Sequence, residues 1–178
     1  MKQLKSFKNL NFEAIANVEF DLGLFACGYE KRCTNILNMK LNLKTKCVFV
    51  FKETEGKIFE DNLSVFKKND FEIHSIGKKS FDKIIRILNE WTSSLNLEAD
   101  EGREIKVFID YSSMTRYWYA TIINFFKYSF YKKVEIVFGY SEPYYEKTEL
   151  VEPEIEIESL DFLSHITYFH LKMRIYHY

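Results

Sequence analysis

The sequence predicts an α/β fold, a Rossmann-like three-layer sandwich with a five-stranded, mainly parallel sheet. Three observations carry this. Apolar runs of strand length recur between residues 20 and 140, and they alternate with segments that are apolar at helical spacing. The second run, KCVFVFKE (46–53), is continuous in Val and Phe, as expected of a strand covered on both sheet faces. Glycine (6) and proline (2) are scarce in the 178 residues, which argues against a many-turned all-β chain. Right-handed crossovers between parallel strands then narrow the topology to the Rossmann-like form.

The elements follow in order. FDLGLFACGY (20–29) is the first strand, and EKRCTNILNMKLN (30–42) is a helix-like segment carrying Ile36, Leu37, Met39 and Leu41. After KCVFVFKE come a short helix, EDNLSVFKKND (60–70), and a third strand, FEIHSIG (71–77). SFDKIIRILNEWTSSL (80–95) opens on Ser80, a favoured N-cap, and sets Phe81, Ile84, Ile85, Leu88 and Trp91 on one helical face. EIKVFIDY (104–111) is the fourth strand, residues 115–130 form a strongly apolar helix, and KKVEIVFGY (132–140) is the fifth strand.

The chain is expected to form a single domain, with its core at 20–140 and a C-terminal extension at 141–178. That extension begins acidic and holds both prolines, and it ends in the aromatic-rich DFLSHITYFHLKMRIYHY. The aromatic tail suits a terminal helix or strand packed on the sheet better than a contact for a partner, though both stay open.

Charge and cysteine content bound the function. Lys+Arg number 25 against 26 Asp+Glu, so the net charge of -1 gives no bulk attraction to nucleic acid or to an anionic membrane. A polyanion site must therefore be local. The three cysteines, Cys27, Cys33 and Cys47, form no CxxC pair and cannot close a complete disulfide framework, which suits a reducing cytoplasm. With no apolar window of transmembrane length and no signal-type N-terminus, a soluble cytoplasmic protein is expected.

In open α/β sheets the ligand crevice lies beyond the carboxyl ends of the strands. That rule selects Gly28, Tyr29, Glu30 and Arg32 after the first strand, and Tyr140, Glu142 and Tyr144 after the fifth. After the fourth it selects Asp110, Ser112, Ser113, Thr115 and Arg116. The hydroxyls fall where a helix begins and its backbone N–H groups are free for an anion. Arg116 in the first turn adds a fork suited to phosphate, and a cation there opposes the helix dipole unless an anion compensates it. The competing reading is structural, with Ser112 or Ser113 capping the helix and Arg116 pairing with Asp110. Glu30 could contact a ribose or act as a general acid or base, or simply sit in a first helical turn. Tyr140 and Tyr144 could stack on a base, with Glu142 beside them.

Sharper motifs are absent. There is no GxGxxG, no GxxxxGK[ST] and no GxSxG. His165 and His170 are five apart, and His74 and His177 have no acidic or thiol companion evident in the sequence, so no metal and no cofactor are expected.

The turn Asp110-Tyr111-Ser112-Ser113-Met114-Thr115-Arg116 resembles that of the CRISPR-associated Rossmann-fold (CARF) sensor domains. In those domains a strand ends in a polar residue and a Thr/Ser-Gly-Gly-Thr-Lys type turn enters an apolar helix. Ser112 and Thr115 stand at the hydroxyl positions and Arg116 at the cation, while Ser113 and Met114 replace the glycines. The resemblance implies a pocket for a nucleotide or a linear or cyclic oligonucleotide. It also implies a homodimer or an effector partner protein, and a place in prokaryotic antiviral defence.

A second resemblance is to nucleoside deoxyribosyltransferase-like and TIR-like N-glycosidases. It implies that Glu30 or Glu142 acts at the ribose carbon and that Asp110 holds hydroxyls. Whether the chain is an enzyme stays open, and so does a third possibility, a non-catalytic subunit that binds a protein partner through its aromatic tail.

Overall fold

The computed structural model describes residues 12–95, 103–130, 133–142 and 173–177. Five strands and three α-helices alternate as expected: β1 Glu19–Cys27, β2 Asn42–Phe51, α1 Lys57–Lys68, β3 Glu72–Ile76, α2 Phe81–Ser94, β4 Ile105–Asp110, α3 Arg116–Tyr128 and β5 Val134–Tyr140. The tail contributes a sixth strand, β6 Met173–His177, which pairs with β5. All the pairings are parallel, in the order β3-β2-β1-β4-β5-β6. This is the order of a doubly wound Rossmann-like sheet, and its direction of growth reverses between β1 and β4. Among the described residues no helix is long and apolar enough to cross a membrane.

Strand periodicity of two divides the core into two layers. Leu22, Leu24 and Ala26 of β1, Cys47 and Phe49 of β2, and Val107 and Ile109 of β4 face α2 and α3, where Ile84, Leu88, Trp118 and Ile122 are fully buried. Phe25 and Cys27, Val48 and Val50, and Phe108 face the opposite layer, built from α1 and a 3₁₀ segment, Lys31–Met39. Strands covered on both sides must be apolar on both sides, which accounts for the unbroken KCVFVF run. Gly139 on β5 admits this packing. A Cβ there would stand 2.5 Å from Phe108 Cζ and 2.8 Å from Ile36 Cδ1.

Two local expectations are corrected and one, the Ser80 N-cap, holds in position only. The helix-like segment is a 3₁₀ helix that stops at Met39, closed by Lys40 in the left-handed region (φ 50, ψ 48), and β2 starts already at Asn42. Its Cys33, Thr34, Asn35, Ile36 and Asn38 are all middling or poor α-helix formers. Ser80 stands at the N-cap of α2 but its hydroxyl makes no capping bond. The buried face of α2 is Ile84, Ile87, Leu88 and Trp91, whereas Phe81 and Ile85 are exposed. The helix is thus rotated toward Ile87 relative to the face drawn from spacing.

Candidate functional site

The loops after β1, β4 and β5 meet on one rim beside the switch point. Arg32 is the link. Its guanidinium holds Glu30 bidentately, with Nη2 3.0 Å from Oε1 and Nε 3.2 Å from Oε2. Its Nη1 donates to the Tyr140 hydroxyl at 2.9 Å and to the Ser141 carbonyl at 3.4 Å. From the β4 side, Ser113 Oγ donates to Glu30 Oε2 at 3.1 Å. The Tyr140 ring stacks on Tyr111, centroids 5.0 Å apart and 22° between planes, and the Arg32 guanidinium lies 5.4 Å from the same Tyr140 ring. The pair is recessed but reachable, with the Arg32 side chain 17% and the Glu30 side chain 35% exposed.

Below this rim lies a buried lock. Asp110 Oδ1 accepts from the Ser112 backbone N–H at 2.9 Å and also from the Ser112 hydroxyl. The same hydroxyl accepts from Ser141 N–H at 2.7 Å, which ties the β4 and β5 loops together. Burial pushes the Asp110 carboxyl up to about 7, although the Ser112 bonds and the Arg32 charge pull it down. Asn62 of α1 secures the β1 loop, donating to the Gly28 carbonyl at 2.9 Å and the Glu30 carbonyl at 3.1 Å. Glu30 itself is extended (φ -84, ψ 127) at the N-cap of the 3₁₀ segment, without a side-chain capping bond.

Beneath the β1 loop, Cys27 and Cys33 are buried, free and hydrogen-bonded to each other. The Cys27 thiol is pushed up by that bond and by burial, while Cys33 is drawn down by the bond from Cys27 and by a backbone bond from Gly28.

The structure gathers Glu30, Arg32, Asp110, Ser112, Ser113 and Tyr140 into one network, and it redistributes the roles of the hydroxyls. Thr115, not Ser112 or Ser113, caps α3, accepting from Trp118 N–H at 3.2 Å. Asp110 binds Ser112 rather than Arg116, and Arg116 is exposed at the start of α3. Tyr29 is 71% exposed beside the rim, and Glu142 is exposed just beyond β5. Gly28 is not sterically required, since an added Cβ would meet Phe51 Cε2 at an ordinary 3.6 Å. Tyr144, Tyr168 and Phe169 lie outside the described residues, as does the side chain of Tyr176.

Asn62 and Cys33 were not among the candidates from sequence, while Tyr111 and Ser141 fell within the rim loops but were assigned no role. The stacking of Tyr111 on Tyr140 and the Ser141 N–H bond to Ser112 join two different loops, which no single loop sequence displays. Nothing local in α1 marks Asn62, because its partners are 34 and 32 residues away.

A second group of chemically able side chains lies elsewhere. Cys47, Glu72 and His74 put one ligand atom each within 4.8 Å of one another. His74 therefore has both an acidic and a thiol companion in space, although neither is evident along the chain.

Comparison of the chain with family models, with curated proteins and with solved structures finds no match. Its function has to be argued from the site itself.

Proposed function

We propose that this protein is a nucleotide- or oligonucleotide-binding domain of sensor type, with its ligand on the rim formed by the loops after β1, β4 and β5. The observation that supports this most is the junction of Glu30, Arg32, Ser113 and Tyr140, drawn from three loops beside the reversal in strand order. Arg32 is a preoriented fork at the crevice, and Arg116 at the start of α3 adds a second, exposed cation. A phosphate oxygen arriving at Arg32 competes with Glu30 and frees that carboxylate to accept from ribose hydroxyls. The Tyr111–Tyr140 stack and the exposed Tyr29 are faces on which a base can lie. The sensor reading also entails a pocket completed across two copies of the chain and a role in antiviral defence.

One observation favours a second reading, a nucleotide N-glycosidase. Glu30 is a partly exposed carboxylate whose position is held by both Arg32 and Ser113. A carboxylate positioned in this way is suited to orient or attack a ribose carbon.

One experiment separates them. The pure protein is mixed with mononucleotides, NAD and cyclic oligonucleotides, and melting temperature and released base are followed together. Stabilisation without product, lost in Arg32→Ala and reduced in Arg116→Ala, supports the binding domain. Release of free base that stops in Glu30→Gln, with binding retained, moves the assignment to the glycosidase. Neither stabilisation nor released base with any member of the panel refutes both.

A further inference from the structure

The cluster of Cys47, Glu72 and His74 lies away from the rim, toward the beginning of β3. In the parallel register Cys47 of β2 stands opposite Glu72 of β3, and Phe49 opposite His74. Side chains alternate along a strand, so Glu72 and His74, two residues apart, share the sheet face that Cys47 also occupies. That face is turned to the end of α2. Between them is a cavity of about 240 Å³, lined by Thr45, Cys47, Glu72, His74, Glu90 and Trp91 among others.

Two polar atoms of the cavity wall are buried without a hydrogen-bond partner, His74 Nε2 and Trp91 Nε1. Nε2 is 3.3 Å from Glu72 Oε1, yet not in hydrogen-bonding geometry. Buried polar atoms in native proteins are nearly always satisfied, and two orphans in one cavity call for an occupant. The surrounding chemistry indicates which kind. A thiol, an imidazole and a carboxylate are the three side-chain types that bind zinc-like cations.

We propose that Cys47, Glu72 and His74 bind one divalent d-block cation, zinc being the reference case, with a fourth position open to the cavity for water or a small anion. Four ligands on one zinc stand about 3.5 Å apart, so a spread of 4.8 Å closes through small side-chain adjustments. Charge also balances. Thiolate and carboxylate together neutralise a dication, and a neutral imidazole completes the three protein ligands. Metal binding displaces the Cys47 thiol proton to solvent, so affinity rises with pH. Glu72 is exposed and supplies the entry side. Three protein ligands with an open position beside a cavity is the arrangement of reactive rather than purely structural zinc sites.

The test uses the full chain, untagged and stripped with a chelator, titrated with Co²⁺ and then Zn²⁺. The expected result is one equivalent of cobalt with a thiolate-to-cobalt charge-transfer band, bleached by zinc. The band should vanish in Cys47→Ala and persist in Cys33→Ala. Glu72→Gln, at an exposed position that leaves the core intact, should weaken zinc affinity by about tenfold or more. Absence of the band in the wild-type chain, its persistence in Cys47→Ala, or unchanged zinc affinity in Glu72→Gln would each overturn the proposal. Should Cys47→Ala fail to fold, the Glu72→Gln affinity decides alone. Nucleotide binding at the rim plays no part in any of these readouts.

Discussion

Asp110→Asn isolates the energetics of the buried lock. Asp110 is 2% exposed, and its carboxyl is raised from 3.8 to about 7 chiefly by desolvation. Between those two pH values the folded chain binds a proton at this site that the unfolded chain does not. Stability from this group is therefore fully present below 3.8 and is lost as pH rises through about 7. The separation corresponds to at most about 4 kcal/mol, of which about 2–3 kcal/mol develops between about pH 5 and about pH 8.

Asparagine keeps an oxygen to accept from Ser112 and carries no charge, so its stability has no such slope. Its new amide donor adds an offset that does not vary with pH, which leaves the slope as the informative quantity. Chemical denaturation of both proteins at several pH values measures it. The stability of Asp110→Asn minus that of wild type should grow by about 2–3 kcal/mol from about pH 5 to about pH 8, or about 5–10 °C in Tm. Other titrating groups cancel in the difference. A flat difference would refute the claim that Asp110 is held at a desolvation cost, and with it the account of the lock.

Five further substitutions, two of them controls, test the frame around the site by thermal and denaturant unfolding. Gly139→Ala forces a Cβ to within 2.5 Å of Phe108 Cζ and should cost about 1–3 kcal/mol, while Gly28→Ala, with 3.6 Å of clearance, should be near neutral. Equal effects would contradict the packing described. Asn62→Ala strips the Gly28 and Glu30 carbonyls of a shared donor and should cost about 1–3 kcal/mol, with faster proteolysis of the β1 loop as a second readout. Thr115→Ala should cost about 1 kcal/mol as the loss of the α3 cap, whereas Ser113→Ala, which caps nothing, should leave helix stability alone.

How much of this was legible along the chain differs between elements and contacts. The alternation of strand and helix was legible, because a strand buried on both faces must be continuously apolar and a packed helix must repeat near 3.6 residues. Both patterns lie within a single segment, as in KCVFVF and around Trp118. The rim was legible too, since a strand's carboxyl end can be found wherever the strand can. The register of α2 was less so: Ile85 and Ile87 are equally apolar, and only the neighbours of the helix decide which is buried.

The tertiary structure alone decided who meets whom. Arg32 finds Tyr140 108 residues away, and Ser112 receives the N–H of Ser141 from 29 residues away. The hydroxyls of the β4 turn were expected either at an anion or at the helix cap, and their protein partners are Asp110, Glu30 and the Trp118 N–H of α3. Cys47, Glu72 and His74 came together only because β2 and β3 pair in one register; a slip of one residue would turn Glu72 and His74 to the opposite face. The sequence by itself determined the segments and the ends at which chemistry could sit, because those depend on burial patterns local to each segment. Strand order and register, which set every long-range partner, are properties of the assembled sheet and are written in no one segment.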